Sequence, residues 1–144
     1  MYHYTETGLH NVWLANGYRE IDTAYGKAVS IEDADGLHLA IGRAIAHKSR
    51  LTEREFRFLR KELDLSQHRA ADLLGTTEQT VALWERRGKI PKTADRMFRA
   101  IYLETIDGNV KLKELIERIA DLDRRDDDKM IFEDTDAGWL PKAA

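Results

Sequence analysis

A chain of 144 residues that is 42% apolar and 34% charged has room for one ordinary domain, or one small domain with an appendage. It has no cysteine, which excludes disulfides and thiolate zinc sites, and no run nears the ~18 apolar residues of a membrane span. The start MYHYTETGLH lacks the basic and apolar stretches of a secretory signal, so a cytoplasmic location is expected. The formal net charge of −3 is unevenly spread. Residues 1–49 carry four Lys/Arg against six Asp/Glu, residues 50–104 twelve against nine, and residues 105–144 seven against eleven. The positive charge therefore sits in the middle of the chain.

Residues 1–48 read as a small α+β unit. Val12-Trp13-Leu14-Ala15 and Tyr18-Arg19-Glu20-Ile21 flank Asn16-Gly17, a dipeptide suited to a type I′ hairpin turn. A second turn near Tyr25-Gly26 would return the chain from Ala28 to Ile31 as a third strand. Asp33 or Asp35 then offers an N-cap, and Leu37, Ile41, Ala44 and Ile45 form one helical stripe. So short a sheet is not stable alone and is expected to pack on its helix and on the next region.

Residues 49–104 read as four helices. Thr52 and Glu55 have capping-box spacing, with Phe56, Leu59 and Leu63 on one face behind them. Ser66 caps a second helix whose Ala70, Leu73 and Leu74 face inward, and Gly75 stops it. The third helix is expected from Thr77 to Arg86 with Val81 and Trp84 buried, and the fourth from Thr93 to Glu104 with Met97, Phe98 and Ile101 inward. Two short helices around a glycine turn, followed by a basic run, point to a helix-turn-helix that binds DNA. That run, Arg86 to Arg99, holds Arg86, Arg87, Lys89, Lys92, Arg96 and Arg99 against the single acid Asp95.

Residues 105–125 open with the turn Asp107-Gly108-Asn109 and continue as an amphipathic helix through Leu112, Leu115, Ile116, Ile119 and Leu122. That helix either caps the bundle or supplies a dimer interface. Residues 126–144 are acidic and weakly patterned, and are expected to form a flexible tail or a segment ordered against a partner. An acidic tail of this kind can compete with DNA, and its deletion would then tighten operator binding. The fold class expected is mainly α with a small α+β N-terminal unit: a helix-turn-helix bundle plus a C-terminal helix.

With Val81 and Trp84 committed to the core, the third helix presents Glu78, Gln79, Ala82, Leu83 and Arg86. Gln79 can pair with adenine, Glu78 can accept from cytosine, and Ala82 and Leu83 suit a thymine methyl. Core or dimer packing is the equal alternative for Leu83. Arg86, Arg87, Lys89 and Lys92 are assigned to phosphates. The block LSQHRAADLLGTTEQTVALWERR resembles helix-turn-helix regulators of the Xre and lambda-repressor-like family over roughly residues 51–104. The resemblance implies that Gln67 touches phosphate and braces the base-reading side chains, and that Thr77, with Thr76 beside it, lies at a phosphate-contacting position. It also implies that Glu78, Gln79 and Leu83 read bases and that Arg60 and Glu85 form an ion pair tying the first helix to the third. The family usually has glycine where Arg87 stands, with Gly88 following here, which puts the end of the third helix in question.

Residues 1–50 and the segment EFRFLRKELDLSQ are similar to a bacterial regulator subgroup related to the MqsA-type antitoxins. Those carry paired cysteines in an N-terminal zinc domain, so neither zinc binding nor toxin neutralisation is implied for this cysteine-free chain. His3, His10, His38, His47 and His68 have no ligand-like spacing, and no metal or cofactor is expected. His68 could approach a phosphate. Asp126-Asp127-Asp128 reads as a solvated charge run. No acid–base pair, phosphate loop or activated nucleophile can be assembled, so no enzyme is expected. The reading is a homodimeric repressor of its own or a neighbouring operon, with operator DNA and a second copy as partners. The rivals are an antitoxin that also binds a toxin, and an adaptor whose helix-turn-helix no longer binds DNA.

Overall fold

Four of the helices start where a side chain takes up amides that the helix leaves free. In the computed structural model, which describes residues 1–122 and 130–142, Asp33 accepts from Gly36 N at the head of α1 (Ala34–Ala46). Thr52 and Glu55 close both halves of the capping box of α2 (Glu53–Glu62). Ser66 caps α3 (Gln67–Leu74) through Arg69 N, and Thr77 caps α4 (Glu78–Arg87) through Thr80 N. Thr77 thus stands just outside the helix it was expected to begin. α5 (Lys92–Ile106) opens behind Pro91 with no side-chain cap, one residue earlier than expected, and α6 (Leu112–Leu122) follows the 107–109 turn.

The centre of the core lies between α2, α3, α4 and α5, and Tyr4, Leu9, Leu14, Ile41 and Ile45 from the residues before them join the same buried cluster. Phe56, Leu59, Ala70, Val81 and Phe98 are wholly buried. Phe56 stacks on Phe98 with ring centroids 4.6 Å apart and meets the edge of Trp84 at 5.8 Å. Met97, expected inward, is 51% exposed. The inward stripe of α5 is Asp95, Phe98, Ile101 and Tyr102, and Met97 falls one position off it. Leu63 and Leu74 reach only half-burial.

α1 packs on α2 and α5, and its buried positions are Ile41, Gly42, Ile45 and Ala46. Ala44, expected on that stripe, is exposed because the partner helix approaches from the side of Gly42. A Cβ at Gly42 would stand 1.9 Å from the Tyr102 hydroxyl oxygen. The missing side chain is what lets the two helices meet there. α6 lies against α3, with Leu112, Leu115, Ile116 and Ile119 half-buried and Leu122 exposed.

The three-stranded meander expected from residues 12–31 does not form. β1 (Tyr2–His3) pairs with β2 (Trp13–Leu14), and β3 (Tyr18–Thr23) pairs separately with β4 (Gly26–Ile31), both antiparallel. Trp13 finds its neighbour earlier in the chain: the His3 ring stacks on it at 4.1 Å, and Tyr4 N donates to Val12 O. Gly17 still takes a left-handed φ of 77°, but as a corner between the two ribbons, with its carbonyl accepting from Glu32 N. The hairpin turn is Ala24-Tyr25, closed by Thr23 Oγ1 donating to Gly26 O at 2.6 Å.

The C-terminal segment also departs from expectation. Residues 131–142 form a hairpin, β5 (Ile131–Thr135) and β6 (Gly138–Lys142), where a flexible tail or a segment ordered against a partner was expected. Its turn repeats the chemistry of the first, with Thr135 Oγ1 donating to Gly138 O at 2.8 Å. The sequence signal was Asp-Thr-x-x-Gly, present at both 22–26 and 134–138. The Asp126–Asp128 run lies outside the described residues.

Candidate nucleic-acid interface

The turn between α3 and α4 is set by Gly75, at φ 69°, which ends α3, and by Thr77, whose hydroxyl also contacts the Thr80 hydroxyl at 2.9 Å. Val81 and Trp84 then anchor one side of α4 in the core. That anchoring decides what the other side shows. Glu78, Gln79, Leu83 and Arg86 are exposed, Leu83 by 37%, and Ala82 is half-buried beside them. An α-helix presenting a carboxylate, an amide and a leucine on one open face carries the donors, acceptors and apolar contact that base edges in a major groove offer partners for.

α4 is tethered from behind by a two-pronged pair. Arg60 Nε donates to Glu85 Oε2 at 2.7 Å and Arg60 Nη2 donates to Glu85 Oε1 at 2.8 Å, while Arg60 Nη1 reaches the Leu65 carbonyl at 2.8 Å. Both side chains are nearly buried. Gln67, half-buried at the head of α3, leans on the same carboxylate, its Nε2 donating to Glu85 Oε1 at 3.4 Å. Arg60, Gln67 and Glu85 therefore lock α2, α3 and α4 into one angle. Thr76 is half-buried in the turn and Thr77 is exposed at the helix start.

α4 runs through Arg87, and Gly88 and Lys89 both take left-handed φ values, 72° and 58°. This double reversal swings the chain to Ile90, which is buried, and so into α5. Arg86, Arg87, Lys89, Lys92 and Arg96 are left exposed around the turn, with no ion-pair partner among the described residues. Arg86 and Arg87 in the last turn of α4 also suit the helix dipole.

Arg99 does not belong to this surface, contrary to the charge count. It turns inward, donating to Asp95 Oδ1 at 2.6 Å and to the carbonyls of Lys48 and Ala46. Asp95, also buried, accepts from Leu51 N at 2.8 Å. The one acid of the basic run is thus neutralised inside the fold. Sequence reasoning missed Arg50 and Ser49, which border a concavity with Ile90, Lys92, Asp95 and Arg99; the Leu51–Asp95 bond and the Arg99 bonds to the preceding carbonyls bring them there. His68 is exposed but faces Asp72 at 3.6 Å and Glu78 at 4.0 Å, so carboxylates surround the ring. Among the described residues no group of three or more His, Asp or Glu is placed to hold a metal ion.

A family model described as helix-turn-helix matches residues 56–99, from within α2 to within α5. No curated protein and no solved structure matches the chain. No described helix is long and apolar enough to cross a membrane. The match identifies residues 56–99 as a helix-turn-helix domain and supports a DNA-binding transcription regulator.

Proposed function

We propose, from the helix-turn-helix domain at residues 56–99, that the protein is a homodimeric repressor that binds an operator in its own or a neighbouring operon. The observation that carries the reading is the open face of α4, held by the Arg60–Glu85 pair and rimmed by cations whose only acid is neutralised internally. Glu78, Gln79, Ala82 and Leu83 read base edges. Arg86, Arg87, Lys89 and Lys92 hold phosphates, with Thr76 and Thr77 at the start of α4 adding neutral contacts. Gln67 acts mainly by bracing Glu85.

The test is a fluorescence-anisotropy titration against the chain's own promoter DNA, with a scrambled duplex as control, at two salt concentrations. A preference of about 10³ or more for the promoter, weakening as salt rises, is expected. Equal and weak binding to both duplexes overturns the reading and turns the search to a protein partner, a toxin among them.

A further inference from the structure

Three backbone groups around the connection from α1 to α2 are taken up by one side-chain pair on α5. Asp95 accepts from Leu51 N at 2.8 Å, and Arg99 donates to the carbonyls of Ala46 and Lys48. Ser49 and Arg50 lie between these fixed points, with both side chains exposed. They border a concavity of about 370 Å³ with Ile90, Lys92, Asp95 and Arg99. The start of α2 runs beside the reversal at Gly88, where a Cβ would stand 3.4 Å from Glu53 Oε2.

The charge of this concavity is one-sided. Asp95, the one acid in its lining among the described residues, is buried and spent on Leu51 N and on Arg99 Nε at 2.6 Å. Arg50 and Lys92 are left exposed, with no ion-pair partner among the described residues. Lys92 also belongs to the cationic rim beyond α4. The concavity therefore continues that rim toward residues ahead of α2, which lie outside the helix-turn-helix match at 56–99. A guanidinium presents a planar fork of donors that suits two phosphate oxygens. Fixing the backbone beneath it in advance lowers the ordering cost of binding.

We propose that Arg50 holds a phosphate of the DNA backbone in this concavity, beside Lys92, and extends the operator contact to the connection between α1 and α2. The inference rests on the DNA reading above and deepens it. A contact of this kind carries no sequence information and fixes the register of α4 on the duplex. A free phosphate offers the same oxygens. The shared Lys92, however, makes the concavity one end of a run of cations, which suits a continuous phosphate strand better than a single anion.

Anisotropy titrations of the full chain over a salt series, against its own promoter and the scrambled duplex, test it. The variants are Arg50→Gln and, as a control of equal charge in a separate cleft beside Gly8, Arg57→Gln. Both positions are exposed, and circular dichroism checks that each variant is folded. Arg50→Gln should flatten the slope of log K against log salt by about 0.9 and weaken binding about 3- to 10-fold on both duplexes, leaving their ratio unchanged. Arg57→Gln should leave the slope alone. Promoter duplexes with single methylphosphonate linkages then locate the contact: at one phosphate, loss of charge should weaken the wild-type chain and not Arg50→Gln. A slope unchanged by Arg50→Gln, or flattened equally by Arg57→Gln, overturns the contact, while promoter preference in the same titrations leaves the DNA reading standing. Calorimetric binding of inorganic phosphate that is lost in Arg50→Gln, with the DNA slope unchanged, assigns the concavity to a free anion and likewise overturns it. A wild-type chain that binds both duplexes alike, with the slope still flattened by Arg50→Gln, keeps the contact and loses the operator reading. One that binds neither duplex removes both.

Discussion

Glu85 shows how one residue links stability to recognition. Its carboxylate takes two bonds from Arg60 and a third from Gln67, all from elements other than its own. Removing it strands the nearly buried Arg60 guanidinium, and Glu85→Ala should cost about 3–5 kcal/mol in urea unfolding. A loss under ~1 kcal/mol would show that the pair does not hold α4. Residues on the outer face should behave differently. Gln79→Ala should lower discrimination at one base pair by about 1–3 kcal/mol and leave the salt slope alone. Lys89→Ala should weaken binding to every sequence and flatten the slope of log K against log salt by about 0.9. Identical effects of both substitutions in a titration series would contradict that division of labour.

At the scale of elements, α5 carries the most instructive substitution. Counted by charge alone, Asp95 opposes DNA, and its removal should tighten binding. In the fold, Asp95 holds Leu51 N and the Arg99 guanidinium, which in turn holds the end of α1. Asp95→Ala is therefore expected to lower the melting temperature by several degrees with no gain in DNA affinity, measured by calorimetry and anisotropy on the same sample. Arg99 was misplaced by sequence reasoning for the same cause: a charge count cannot tell a cation at the surface from one turned onto a buried carboxylate. The boundaries of α2, α3 and α4 were legible to within a residue, because capping threonine and serine, Gly75 and the Val81–Trp84 spacing act locally. The strands were not. Asn16-Gly17 has the local chemistry of a hairpin turn, yet the residues before it pair with Tyr2–His3, a two-residue strand that leaves no periodicity to read.

Across the whole molecule, two buried tyrosines couple the fold to alkaline pH. Burial raises the Tyr102 hydroxyl above its ordinary value of 10.0, with Glu62 adding to the effect and Arg43 opposing it. Burial also raises Tyr4, reinforced by Glu6 and Glu62. For a group whose folded pKa is raised, the stabilisation is complete below the unfolded value and is lost as pH climbs above it. The urea midpoint should hold up to about pH 10 and fall beyond it, and Tyr102→Phe should flatten that fall. A decline of equal steepness in the variant would place the alkaline sensitivity elsewhere. Gly42→Ala should be costly at any pH, by about 1–3 kcal/mol, because the new methyl group meets the Tyr102 hydroxyl.

That close approach, together with the Arg99 bonds to the carbonyls of Ala46 and Lys48, has a consequence for how such a chain can diversify. A DNA-reading module cut at the start of α2 would leave behind the helix that covers Tyr102 and the carbonyls that hold Arg99. A chimaera joining residues 49–144 to a foreign N-terminal unit should fail to fold unless that unit brings its own small residue opposite the tyrosine. The first forty-eight residues and the helices after them are therefore expected to exchange only together, as matched partners across the Gly42–Tyr102 and Arg99 contacts.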